Sequence, residues 1–246
     1  MKLLFSRSPA LSGGLILLSF LFIFSSLFHL LPRPDGPVPA FFPAAGPVPA
    51  TVVLDPGHGG EDGGASAQDG TKESGINLEI SLRLQDMLYL MGQPAILTRR
   101  SDAALGDPEL ETIRQRKASD IRRRVELVNS TPGAVLVSIH QNSLPSSPVT
   151  RGAQVFWNRQ AGGQDLAEAM QSALNEVVNA GNAKRAREMD STVYLMRHAE
   201  VPAALAECGF LSNREEAALL QTADHQREIA AAVAAGILRY LREEIR

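Results

Sequence analysis

From Thr51 onward, short β-branched or apolar runs alternate with longer stretches in which apolar residues recur every three or four positions. Strands separated by helices are joined by crossover connections, which lay them side by side in a mostly parallel sheet and put helices on both faces. Six runs qualify as strands: Thr51–Asp55, Ala95–Thr98, Ala134–His140, Ala153–Trp157, Thr192–Met196 and Ala203–Cys208. Between them lie helical stripes: Ile76, Ile80, Leu84, Leu88 and Met91; Ile121, Val125 and Val128; and Leu166, Met170, Leu174 and Val177. A last stripe, Ile229, Val233, Ile237, Tyr240, Leu241 and Ile245, closes the chain. All four read as core-packing faces. The expectation is a single α/β domain over residues 51–246, with a six-stranded, mostly parallel sheet flanked by helices. Arg99 to Lys117, rich in charge, reads as a solvated surface excursion.

The first fifty residues are of another kind. Lys2 and Arg7 precede Leu11 to Leu31, a run of 21 residues without a formal charge. At about 1.5 Å per residue such a run spans a hydrocarbon core of roughly 30 Å. Residues 1–31 are therefore expected to be a transmembrane signal-anchor, basic flank inside and the remainder outside the cytoplasm. A cleaved signal peptide is the competing reading; its apolar region is usually about 7–15 residues, and Pro43-Ala44-Ala45-Gly46 lies well beyond the hydrophobic end. Residues 32–50 carry seven prolines, a composition that stays extended and reads as a linker.

The formal charge is −3 overall, and residues 1–50 contribute three basic side chains against one acid, so the rest of the chain is acidic. Nucleic-acid binding, which calls for a basic excess, is not expected. Cys208 is the single cysteine. It can form no intramolecular disulfide, and without a histidine constellation around it, it reads as a small buried hydrophobe.

Chemistry concentrates at strand ends. Leu54-Asp55-Pro56-Gly57-His58-Gly59-Gly60 directly follows the first strand, and open α/β sheets bind ligands at the carboxyl ends of their strands. His140 ends Val135-Leu136-Val137-Ser138-Ile139 and can converge on His58 at the same edge. A catalytic divalent metal takes three protein ligands and keeps one open position. Glu73, just ahead of the first helix, is the carboxylate best placed to complete the set, although a charge favoured by the helix dipole would look the same. Glu207 ends an apolar strand, where a carboxylate is costly to bury without a metal, hydrogen bond or proton. Asp55 suits either an orienting hydrogen bond to a ligand histidine or a turn. A phosphate-binding role for the glycines between Gly57 and Gly64 is disfavoured, since the stretch has neither a P-loop ending nor a dinucleotide fingerprint.

Read in order, Asp-Pro-Gly-His-Gly-Gly, Lys-Glu-Ser-Gly-Ile-Asn-Leu, Ser-Ile-His-Gln-Asn-Ser and Glu-Cys-Gly-Phe-Leu-Ser-Asn resemble the signature of the zinc-dependent N-acetylmuramoyl-L-alanine amidases of the amidase-3 family. The resemblance runs from about Thr51 to Tyr240. It implies Zn2+ held by His58, Glu73 and His140, and Glu207 as the catalytic glutamate. The implied substrate is peptidoglycan, cut between N-acetylmuramic acid and the first stem-peptide residue. Two departures, Gln141-Asn142-Ser143 after the second histidine and Cys208 in place of a common leucine, touch no implied ligand.

A narrower likeness lies in Arg122 to Asn129, Arg151-Gly152-Ala153-Gln154 and Ala186 to Tyr194, which look like the germination-specific, spore-cortex branch. That branch implies muramic-δ-lactam formation with a partner deacetylase, in a cell or forespore envelope. The alternatives are a general autolysin or cell-separation amidase, and a non-catalytic peptidoglycan-binding module.

Overall fold

A computed structural model describes residues 50–190 and 192–244 of the chain. The expected membrane span, the linker up to Pro49 and the last stripe residue, Ile245, lie outside the described residues. Among the described residues, no helix is long and apolar enough to cross a membrane.

Six strands form one sheet: β1 (Thr51–Pro56), β2 (Ala95–Leu97), β3 (Ala134–Asn142), β4 (Gln154–Trp157), β5 (Arg187–Glu188) and β6 (Ala203–Phe210), in the order β2-β1-β3-β6-β4-β5. Every pairing is parallel except β4 with β6. The helices are α1 (Glu73–Leu90), α2 (Ile113–Ser130), α3 (Gly163–Val177), α4 (Tyr194–His198), α5 (Arg214–Leu220) and α6 (Ala223–Glu244).

Because side chains alternate along a strand, β1 feeds two cores at once. Val52 and Leu54 join the larger one, with Ile80 and Leu84 of α1, Met170 and Leu174 of α3 and Val233 and Ile237 of α6. Val53 joins the smaller one on the opposite face, with Val128 of α2, Leu195 and Met196 of α4 and Leu205 of β6. The expected α/β architecture, covered on both faces, is the one observed.

Three local expectations need correction. Thr192–Met196 is not a strand: Tyr194–His198 forms a short helix, and its neighbours Leu195 and Met196 both bury into the smaller core. In a strand they would point to opposite faces. The sixth strand is instead the two-residue Arg187–Glu188, exposed and charged at the sheet edge, where no apolar alternation marks it. Second, Met91 and Val177 are 71% and 48% exposed. Both sit at helix ends, where the stripe has rotated off the core. Third, the charged excursion is only partly solvated, since Arg99 is buried and Ile113–Lys117 opens α2.

Candidate active site

Three neighbouring strands bring the chemistry to one edge. Parallel register sets Pro56 of β1 beside Ile139 of β3, so the next residues, Gly57 and His140, lie abreast; His140 in turn pairs with Glu207 of β6. Helix α1 starts at the same edge with Glu73 in its first turn, where a helix N-terminus favours a carboxylate.

Glu73 Oε1 lies 2.9 Å from His140 Nδ1 and 3.3 Å from His58 Nε2. One donor atom from each of the three residues falls within 4.8 Å of the others, and the two imidazoles meet edge to face with centroids 4.9 Å apart. The carboxylate is fixed from behind: the Gln141 amide donates to Oε1 at 3.0 Å, Asn77 Nδ2 to Oε1 at 3.2 Å and the Ala65 amide to Oε2 at 2.8 Å.

The electrostatics of this cluster call for positive charge. Burial alone would raise Glu73, but its hydrogen bonds to His140 and His58 and their charge hold the carboxyl well below the usual range. Burial opposes a charged His58; Glu73 and Asp62 outweigh it and lift the imidazole to about 9. Two imidazole nitrogens and a carboxylate oxygen within 4.8 Å of one another are the donor set of a hydrolytic zinc site, and the residues fit that ion.

Glu207 differs from Glu73 in every respect that matters for proton transfer. Burial pushes its carboxyl up to about 7, with the Glu73 charge adding to the rise and the two histidines opposing it. Its Oε2 is buried and accepts no hydrogen bond from any described residue. A carboxyl poised near neutrality, beside a cation site, is suited to take up and release a proton.

The glycines around His58 are a steric requirement. A Cβ on Gly57 would sit 2.2 Å from the His140 ring, and one on Gly64, whose φ is +67°, would sit 2.5 Å from Glu73 Oε2. The two glycines thus leave room for the side chains of His140 and Glu73.

Asp62 turns out to be the residue that orients a histidine: its Oδ2 accepts from His58 Nδ1 at 3.0 Å. The expected candidate for that part, Asp55, lies within β1 and not in a turn, and its hydrogen bonds go to residues other than the histidines. It is buried on Arg124 Nη1 at 2.7 Å, Thr98 Oγ1 at 2.8 Å and Ser138 Oγ at 2.8 Å. Sequence reasoning passed over Asp62, Arg99 and Arg124. The available signal was polarity in the wrong place: Asp120 and Arg124 fall four residues apart and in line with Val128, on the inward side of α2. Cys208 is buried, as expected, and burial pushes its thiol far above the usual range.

A cavity of about 650 Å3 opens beside the cluster, lined by His58 and His140 on one wall and by Lys117, Ile121, Val193 and Leu195 on others. It is large enough for a sugar or a short peptide segment.

An α/β sheet carrying a His–Glu–His cluster and a buried glutamate at its carboxyl edge has the residue set of a metal-dependent hydrolase. Residues 52–239 match the model of the N-acetylmuramoyl-L-alanine amidase family, and the chain belongs to that family. It is similar to the germination-specific N-acetylmuramoyl-L-alanine amidase of Bacillus subtilis, 35% identical over 94% of this chain and 93% of that one. Among solved structures it resembles the CwlD amidase from Clostridioides difficile in complex with the GerS lipoprotein, with TM-score 0.75 and 36% identity over 79% of this chain and 99% of that one. The amidase AmiC2 of Nostoc punctiforme gives TM-score 0.66 and 31% identity over 80% and 99% of the two chains.

Proposed function

We propose that this protein is a zinc hydrolase that cuts the amide bond between the lactyl group of N-acetylmuramic acid and L-alanine, in the steps that form muramic-δ-lactam in spore cortex. The observation that carries the reading is the convergence of His58, Glu73 and His140 with Glu207 as their strand neighbour. Similarity to a germination-specific amidase along nearly its whole length supports the cortex setting over a general autolysin.

Zinc held by His58, Glu73 and His140 would supply Lewis acidity for the scissile carbonyl and make a water more acidic. The protein's own groups do the rest. Glu207 takes a proton from the attacking water as its oxygen bonds to the lactyl carbonyl carbon. When the carbon–nitrogen bond breaks, the same carboxyl returns that proton to the departing alanine nitrogen. Burial and an Oε2 without a hydrogen-bond donor leave this carboxyl ready to accept a proton and to give it up again. Asp62 keeps His58 Nδ1 engaged, so that Nε2 faces Glu73 and the metal position.

In this reading, residues 51–246 form the catalytic domain, held outside the cytoplasm by the anchor at 1–31 through the linker at 32–50. The Clostridioides difficile relative is in complex with a lipoprotein, which supports a protein partner here, alongside a deacetylase acting on the exposed muramic acid. Digestion of cortex and vegetative peptidoglycan side by side, followed by mass spectrometry, tests the proposal. Free L-alanine amino termini released preferentially from cortex are expected. Zinc-loaded protein that releases none from either polymer refutes the amidase reading, and release favouring vegetative wall refutes the cortex role.

A further inference from the structure

The loop that presents His58 is gripped from behind by two buried arginines. Arg124 of α2 is 1% exposed, and each of its five N–H groups meets an acceptor. Nε donates to Asp120 Oδ2 at 2.7 Å; Nη1 donates to Asp55 Oδ1 at 2.7 Å and to the Pro56 carbonyl at 2.9 Å. Nη2 donates to the His58 carbonyl at 2.7 Å and to Asp120 Oδ1 at 3.4 Å. Arg99 takes the remaining side, donating to the carbonyls of Pro56 at 2.9 Å, Gly57 at 3.0 Å and Ser74 at 2.8 Å.

His58 needs such a hold. Its φ of +63° makes it the one non-glycine residue with positive φ among the described residues. The left-handed region is costly for any side chain with a Cβ, so the conformation persists only where surrounding contacts impose it. Arg124 contacts the backbone on both sides of the bend, at Pro56 and at His58 itself. Its own position is fixed by Asp55, which Thr98 and Ser138 anchor in turn.

We propose that Arg124 is a positioning residue for the metal site, holding the His58 backbone in its left-handed conformation so that the imidazole stays within reach of Glu73 and His140. This rests on the zinc reading above. Lysine keeps the charge but offers three donors on one atom in place of a planar fork, so Arg124→Lys cannot satisfy both carbonyls and both carboxylates.

The test compares full-length wild type, Arg124→Lys, the milder Asp120→Asn and Leu174→Ala, a control in the larger core with no part in the site. Zinc affinity by chelator competition, the visible spectrum of the cobalt-substituted protein, kcat and KM are measured beside thermal melting. Arg124→Lys is expected to bind zinc about 10–100-fold more weakly, the range for losing a group that orients a ligand. Its cobalt spectrum should change, and kcat should fall more than KM rises. Asp120→Asn should move the same readouts in the same direction, which keeps the test open if Arg124→Lys does not fold. Leu174→Ala should melt lower with wild-type zinc affinity. Arg124→Lys and Asp120→Asn that bind zinc as tightly as wild type overturn the inference alone. A wild-type chain that takes up no zinc overturns the zinc reading and the inference with it.

Discussion

Replacing Gly57 by alanine adds one methyl group where the structure has least room for it. The new Cβ would lie 2.2 Å from Cε1 and Nε2 of His140 and 2.7 Å from its Cδ2. Carbon atoms in contact sit about 3.5–4.0 Å apart, so ring and backbone must separate by more than about 1 Å. Gly57 has little freedom to retreat: its amide donates to the Ile139 carbonyl at 3.0 Å, and its carbonyl accepts from Asn77 and from Arg99. The His140 ring therefore moves, and its 2.9 Å contact with Glu73 Oε1 is lost. Metal ligands tolerate distance errors of only about 0.2 Å, and misplacing a reacting group by about 1 Å can cost on the order of 100-fold in rate. Gly57→Ala should bind zinc at least about 100-fold more weakly and lose turnover in proportion, while far-ultraviolet circular dichroism stays that of the wild type. The assay is chelator competition paired with release of amino termini from peptidoglycan. Wild-type zinc affinity in this variant would refute the packing of His140 on Gly57, and with it the reason for the glycine.

Asp62→Ala frees His58 Nδ1 and should weaken zinc binding about 10–100-fold with little change in melting temperature; unchanged affinity, measured by the same competition, would remove Asp62 from the site. Burial raises the Asp55 carboxyl, but Arg124, Ser138 and Thr98 prevail and hold it below its ordinary 3.8. Its stabilising contribution is therefore complete above that unfolded-state value and is lost as pH falls through the lower folded value. Asp55→Asn should be less stable than wild type at pH 7, since it removes one of the two carboxylates paired with buried Arg124 and leaves Asp120 as the other. The gap in urea-unfolding free energy should narrow below pH 3.8, and a constant gap between pH 7 and pH 3 would contradict the linkage. Chelation should abolish hydrolysis and added zinc restore it; hydrolysis that is indifferent to chelator would take the metal out of the reaction.

The layers of the fold were legible because burial writes itself into periodicity. Val52 and Leu54 alternate with Val53 along β1, and Ile76, Ile80, Leu84 and Leu88 repeat along α1, just as a two-faced sheet and an amphipathic helix require. The edge beyond β4 was not legible, for a physical reason. Arg187–Glu188 is held by backbone pairing to Phe156 and Trp157 and buries no side chain, so no pattern announces it. Tyr194–His198 carries β-branched and apolar neighbours that mimic a strand until tertiary packing curls both Leu195 and Met196 inward.

For the site, strand-end histidines and an apolar-flanked glutamate were visible as chemistry in unusual places, and the family motif added Glu73. Asp62, Arg99 and Arg124 were not, because their work is done through hydrogen bonds to backbone carbonyls and to a ring nitrogen. Such contacts leave no spacing rule in the chain: Arg124 reaches His58 across 66 positions and Arg99 reaches Gly57 across 42. The charge-rich segment from Arg99 to Lys117 looked like solvated surface because charge was read without its partners. In the fold, Arg116 and Lys117 turn to Glu61 and Asp62 on the His58 loop.

The most direct measurement is made on Glu207→Ala, assayed for zinc content and for hydrolysis of cortex peptidoglycan on the same preparation. Zinc retained at one equivalent, with turnover reduced by at least about 10²–10⁴-fold, is the expected result for a residue that moves the proton without holding the metal. Hydrolysis at the wild-type rate with zinc in place would contradict the mechanism at its centre.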